Sequence, residues 1–163
     1  MGSRFFRSML FGSAIHCLIV FSVQAAPPLP ALGADANAVT VSGISSGAYM
    51  AVQLQVAHSA MVKGAGVIAG GPYECAQGSV WRALSNCMEP STPASVPSVS
   101  DTGSRIQARA RAGRIDDPAG LADDKVWVFS GSADRTVERP VVERAGVFLP
   151  QPPASNCRAV RSI

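Results

Sequence analysis

Hydrophobic and polar positions change their period several times along this chain, and each change predicts an element. Ala38-Val39-Thr40-Val41 is a short run rich in β-branched residues, bounded by Gly43, and predicts a strand. From Ser46 the apolar positions Met50, Leu54, Ala57 and Met61 recur at steps of four, three and four, which predicts a helix with that face against a sheet. Gly64-Ala65-Gly66-Val67-Ile68-Ala69 is continuously apolar and closes at Gly70-Gly71-Pro72, the pattern of a strand buried on both faces of a parallel sheet. These three segments form a strand–helix–strand unit.

Between Tyr73 and Asp101 the text turns to Cys, Ser, Pro and Thr without a period, which predicts a surface excursion; Ser91 to Pro97 is read as unable to hold a regular element. A weak helix pattern from Ser104 to Ala112 leads through Asp116-Asp117-Pro118 to a third strand, Lys125 to Phe129, ending at Ser130-Gly131. A helix pattern from Val141 through Ala145 to Leu149, a Pro-rich turn from Pro150 to Pro153 and a strand from Arg158 to Ile163 complete the alternation. No internal repeat competes with it. The fold class is therefore α/β, with about four strands alternating with helices.

The start of the chain stands apart from this pattern. Arg4 and Arg7 precede an apolar run from Met9 to Val23, and Val23-Gln24-Ala25 supplies the small residues wanted at a cleavage site. The run is about 15 residues, short of the roughly 20 that cross a bilayer. Residues 1–25 are accordingly expected to be a signal peptide, leaving no stable membrane anchor after cleavage and an exported (extracellular or periplasmic) chain. Residues 26–37, with Pro27, Pro28 and Pro30, read as an extended lead-in.

Export changes what the charge and the cysteines mean. Loss of Arg4 and Arg7 leaves twelve basic against eleven acidic side chains, a net charge of +1. Arg105, Arg109, Arg111 and Arg114 are spread along a helix and read as a solvated face, so no nucleic-acid partner is expected. Cys17 leaves with the leader, and Cys75 and Cys87 are the natural disulfide pair in an oxidising compartment, closing a loop worth roughly 3 kcal/mol. Cys157 is left odd. Zinc-ligand spacing is missing, so neither a metal site nor a cofactor is expected.

Candidate chemistry centres on Gly43-Ile44-Ser45-Ser46-Gly47, which fits G-x-S-x-G with a strand running in and a helix running out. That places the Ser45 hydroxyl on a sharp turn clear of the sheet edge, with the Ser46 N–H at the helix start as an oxyanion donor. Asp134, in a polar loop after the third strand, is the best carboxylate to orient a base. Asp116, Asp117, Asp123 and Asp124 read as loop solvation. No histidine fits the base: His16 lies in the leader, and His58 lies roughly 18 Å along the helix that starts at the elbow.

Three separated blocks, Ser42 to Ala51, Ala69 to Ala76 and Val128 to Val137, resemble, in that order, secreted poly(3-hydroxybutyrate) depolymerases and related esterases. With the spacing between them they cover most of the chain from about Val39 to Val142, and Pro153-Ala154-Ser155-Asn156 resembles the approach to the family's next strand. The resemblance implies an α/β-hydrolase fold in circularly permuted order, of which residues 26–163 are the N-terminal part. Few residues separate the leader from Ser45, which agrees with that order. The resemblance makes Ser45 the nucleophile, Asp134 the triad acid, Ser46 N–H an oxyanion donor, and Cys75 with Cys87 a disulfide. It places the histidine a few residues after the strand matching Arg158 to Ile163, so the sequence is expected to end just short of it.

The function expected is hydrolysis of poly(3-hydroxybutyrate), 3-hydroxyalkanoate oligomers or a short-chain ester through an acyl-enzyme on Ser45, with little or no activity from these 163 residues alone. Two other readings stay open. One is a noncatalytic remnant that binds a polyester or a partner, with an exposed strand edge and apolar faces; the other is a serine peptidase built on the same elbow.

Overall fold

The computed structural model describes residues 26–146 and the strand at 159–161. Residues 26–33 belong to a separate unit and carry no helix or strand. Residues 1–25 (expected to be a leader), Cys157, the segment from Pro150 to Pro153 and the block at Pro153 to Asn156 lie outside the described residues.

From residue 34 onward the chain forms a four-stranded sheet, every strand parallel, in the spatial order β1-β2-β3-β4. The strands are β1 (Val39–Ile44), β2 (Val62–Ile68), β3 (Lys125–Phe129) and β4 (Ala159–Arg161). Parallel neighbours need crossovers. Helix α1 (Ser46–Ala57) supplies the first, and α2 (Val80–Cys87) with α3 (Val99–Arg111) the second. The short α4 (Arg139–Val142) follows β3. All four expected strands are present, which places the chain in the α/β class.

Register shows how the sheet is buried. Val41, Ala65 and Val126 are partners across three strands, as are Gly43, Val67 and Val128, so their side chains share one face. On that face lies the core, in which Val52, Val56, Val67, Val128, Val141 and Ile106 are fully enclosed. Each such side chain contributes roughly 1.5–3 kcal/mol. The opposite face carries Ile44, Ile68 and Phe129 in one row, with Trp127 stacked on Phe129 at 5.9 Å between ring centroids. Ile44 is 66% exposed and Trp127 43%.

Helix α1 corrects the sequence reading of its inward face. Ala48, Ala51, Val52, Gln55 and Val56 are buried, whereas Met50, Leu54 and Met61 are exposed. The helix is apolar nearly all round, so periodicity alone could not choose the stripe. Close approach bears on it at one place: an added Cβ at Gly70 would sit 2.7 Å from the Ala48 Cβ, so the helix meets the loop after β2 there through a small side chain.

The excursion from Tyr73 to Asp101 is more ordered than its composition predicts. Ser79 caps α2 by accepting a hydrogen bond from the Arg82 N–H at 3.3 Å, and Pro93–Ser95 forms a 3-10 turn. Helix α3 begins before the expected Ser104, because Ser98 accepts from the Asp101 N–H at 3.0 Å while its hydroxyl donates to that carboxylate. The aspartates read as loop solvation also differ. Asp116 accepts from the Ala60 N–H, Asp117 caps the 3-10 turn Pro118–Leu121, and Asp124 is buried, accepting from Gln55 Nε2 at 3.0 Å. Near the end, α4 is shorter than the pattern from Val141 to Leu149, which runs into Pro140 at its start and beyond the described residues at Leu149.

Burial raises the Asp124 carboxyl above its ordinary value, against a smaller lowering by the Gln55 bond. A raised folded-state value means the folded chain holds this proton more tightly. Stability from that preference is present at acid pH and is lost as pH rises through the folded value. Asp124→Asn keeps an acceptor for Gln55 without the buried charge. It should stabilise the chain by about 1 kcal/mol at pH 7, with the gain shrinking toward pH 4. Urea midpoints of both proteins across that range test this, and a gap that does not change with pH would contradict it.

Candidate active site

Strand β1 passes into α1 through a single residue, Ser45, whose backbone sits at φ 53° and ψ −123°. An L-residue reaches this region only when its surroundings enforce it, at a cost of order 1–3 kcal/mol. Three contacts enforce it here. The Ser45 N–H donates to the Ile68 carbonyl at 2.9 Å, extending the β1–β2 pairing one residue past the strand. Its own carbonyl accepts from Ala48 and Tyr49, opening the helix. The chain closes so tightly that a Cβ on Gly43 would lie 2.3 Å from the Gly47 backbone. Gly43 is thus sterically required, whereas a Cβ on Gly47 would meet open space.

Ser45 occupies the N-cap position yet makes no capping bond with its side chain, and it is exposed, which leaves the hydroxyl available. At a helix start the first N–H groups have no intrahelical acceptor, and the Ser46 N–H is among them.

Asp134 arrives at the same sheet edge from β3. Ile44, Ile68 and Phe129 are register partners, so the residues that follow them leave the sheet side by side, with β1 and β3 about 10 Å apart. The Asp134 Oδ1 accepts from the Thr136 N–H at 2.8 Å and the Val137 N–H at 3.1 Å, and the enclosed Val137 anchors the loop. These bonds fix the carboxylate through one oxygen and leave Oδ2 for another donor. His58 lies at the far end: it ends α1, is exposed, and its carbonyl accepts from Val62 at the start of β2. It is not brought to Ser45.

Behind the elbow is a clamp of which the sequence revealed only the cysteine pair. Cys75 and Cys87 form a disulfide with Cα atoms 5.9 Å apart. The Tyr49 hydroxyl, one helical turn past Ser45, donates to the Cys87 carbonyl. A Cβ on Gly71 would strike the Tyr49 hydroxyl at 2.5 Å and its ring at 2.6 Å, so the Gly70-Gly71 pair is what lets the loop lie against the first turn of α1. Burial pushes the Tyr49 phenol well above its ordinary range, so it stays a donor.

A parallel sheet with a strained serine between strand and helix, and an acidic loop two strands along the same edge, is the arrangement of an α/β-hydrolase domain. The comparisons with known proteins agree. The chain is 46% identical over 144 residues to a poly(3-hydroxybutyrate) depolymerase of Delftia acidovorans, covering 88% of this chain and 28% of that protein. It is 39% identical over 114 residues to a polyhydroxybutyrate depolymerase of Talaromyces funiculosus, covering 69% and 31%. The crystal structure of the depolymerase from Penicillium funiculosum superposes with a TM-score of 0.62 at 32% identity, over 78% of this chain and 39% of that one. A depolymerase variant complexed with an R3HB trimer gives 0.65 at 31%, over 83% and 41%. No protein-family model matches. Both curated homologues are thus poly(3-hydroxybutyrate) depolymerases, and the chain spans less than a third of their length.

Tyr49→Phe removes the donor and leaves the Cys87 carbonyl unpaired beside the disulfide. We expect a loss of about 1–3 kcal/mol in unfolding free energy, read from urea titrations with the disulfide intact. An unchanged midpoint would show that the clamp carries no stability.

Proposed function

We propose that the chain carries the nucleophile half of a serine esterase acting on poly(3-hydroxybutyrate) or 3-hydroxyalkanoate oligomers. The observation that carries this reading is Ser45, exposed and uncapped, in a left-handed turn between β1 and α1. Its relatives' names and the R3HB trimer bound to one of them point to the polyester.

In this reading the Ser45 Oγ attacks the ester carbonyl as a base takes its proton. The oxyanion that forms is met by the Ser46 N–H, where the helix start already concentrates positive partial charge. The ester's alcohol leaves with a proton, and water then releases the acyl group from Ser45. Asp134 Oδ2 is placed to accept from an imidazole N–H and hold that ring. Among the described residues none supplies the imidazole, since His58 stands at the other end of α1. The disulfide supports an oxidising compartment, and with it the reading of residues 1–25 as an export leader.

A second reading, a noncatalytic chain that binds a surface, draws support from the position of His58 and from the open apolar sheet face at Ile44 and Trp127. It predicts association of the isolated chain; a monomer that melts cooperatively would count against it.

The functional test joins this chain to the remaining sequence of the Delftia relative and follows hydrolysis of 3-hydroxybutyrate oligomers. Activity should appear, and Ser45→Ala or Asp134→Asn should each reduce it by about 10³- to 10⁴-fold. The 163-residue chain alone should turn over short-chain p-nitrophenyl esters barely or not at all. Ser45-dependent turnover by that chain alone would overturn the missing-base reading. A folded chimera indifferent to Ser45→Ala would overturn the nucleophile, and cleavage of peptides in place of esters would favour the peptidase.

A further inference from the structure

Helix α3 was read from sequence as a solvated arginine face, and half of that reading fails. Arg111 and Arg114 are exposed, but Arg105 and Arg109, one helical turn apart, turn toward the disulfide loop and are partly buried. Arg109 is neutralised there by Glu74, Nε to Oε1 at 2.7 Å.

Arg105 is not neutralised. Its Nη2 makes one long bond to Thr102 Oγ1 at 3.3 Å, and its Nε is buried without a hydrogen-bond partner. Asp101 lies near enough to feel its charge, yet that carboxylate takes its hydrogen bond from the Ser98 hydroxyl at 2.7 Å. A buried donor without an acceptor costs about 1–3 kcal/mol; the Nε is itself enclosed, so a ligand would meet Arg105 through the Nη end of the guanidinium, and binding there is what would neutralise its charge.

Arg105 is also the wall between two spaces, a cavity of about 350 Å³ and an open groove of about 1000 Å³. Arg82 lines the first and Arg114 the second, so with Asp101 and the Arg109–Glu74 pair counted the lining remains net positive. The groove is not purely polar. Ala76, Ala108, Ala112 and the Tyr49 ring contribute apolar surface beside the guanidinium groups. Its floor is α1 itself, with Tyr49 about 6 Å and Gln53 about 12 Å along the helix from Ser45. The loop that closes it leaves β2 at the sheet edge where Ser45 stands.

We propose that this groove is a binding site for a small organic carboxylate, with Arg105 as the group that holds it and the acyl chain against the alanines. A guanidinium fork matches a carboxylate in shape and charge, and the apolar flank suits a short hydroxyacyl chain better than an inorganic anion. The choice of ligand rests on the esterase reading above, because each ester bond cut releases one carboxylate. The site is distinct from the elbow, and its occupancy is measurable without turnover.

The test is a titration of the intact 163-residue chain at low salt, by calorimetry or amide chemical shifts, with 3-hydroxybutyrate, its methyl ester and inorganic phosphate. The acid should bind with a Kd on the order of 1 mM and the neutral ester at least about tenfold more weakly. Arg105→Gln should weaken the acid by about tenfold or more, while Arg111→Gln, on the exposed face, leaves it unchanged. Should Arg105→Gln fail to fold, Arg82→Gln at the rim should still weaken binding about two- to threefold, because its exposed charge acts at longer range. Equal binding of acid and ester, tighter binding of phosphate than of the acid, no saturable binding of the acid, or indifference to the arginine changes would each overturn the proposal. None of these outcomes bears on Ser45, and an inactive chimera with intact carboxylate binding would remove the esterase reading alone.

Discussion

Parallel pairing of β1 with β2 does not stop where β1 stops; it runs on through the Ser45 N–H to the Ile68 carbonyl, and the geometry of the site hangs from that bond. Without it, Ser45 would relax out of its left-handed conformation, and α1 would leave the sheet at another angle. The bond needs Gly43, since any side chain there meets the Gly47 backbone. It also needs β2 in its present register, because a slip of one residue would exchange the core face for the open one. Strand pairing, helix direction and hydroxyl exposure are therefore one constraint seen from three sides.

The loop after β2 adds a second attachment at the same place. Ala69 has positive φ and donates to the Phe129 carbonyl, repeating on β2 what Ser45 does on β1. From there the chain crosses the first turn of α1 at Gly70 and Gly71, forms the disulfide, and receives the Tyr49 hydroxyl. The first turn of α1 is thus held from the sheet by Ala48 and from the disulfide loop by Tyr49. A strained serine on a free helix end would relax. Here the turn that follows it is fixed at both sides, and the same loop forms one wall of the Arg105 groove.

These relations explain which parts were legible in the sequence. Strands were legible because β-branched and glycine-bounded runs have few alternatives, and β3 begins and ends where its pattern does. The elbow and the loop of Asp134 were legible because each follows a strand directly. The buried stripe of α1 was not, since Met50 and Leu54 are as apolar as Val52 and Val56, and the close approach of Gly70 bears on it only at Ala48. Helix α2 was hidden by the composition of its surroundings, because its serine cap and its disulfide act through partners that a period does not register. Asp124 looked like any loop acid until Gln55, far away in sequence, turned out to meet it inside.

The two faces of the sheet carry the last step. A parallel sheet is stable when both faces are covered, since its strands have no polar alternation to offer water. Here one face is sealed by α1, α3 and the turn after α4, while Ile44 and Trp127 look outward on the other. The sealed face explains why the elbow can be rigid, because Val52, Val56, Val67 and Val128 fix α1 to β2 and β3 directly beneath it. On the open face, the row from Ile44 to Phe129 ends at the edge from which Ser45 and the Asp134 loop emerge. Whatever covers that row therefore reaches the edge at which, in the mechanism proposed above, a base would meet Ser45 and Asp134. Under that proposal, hydrophobic cover and the supply of a base are demands made at a single place.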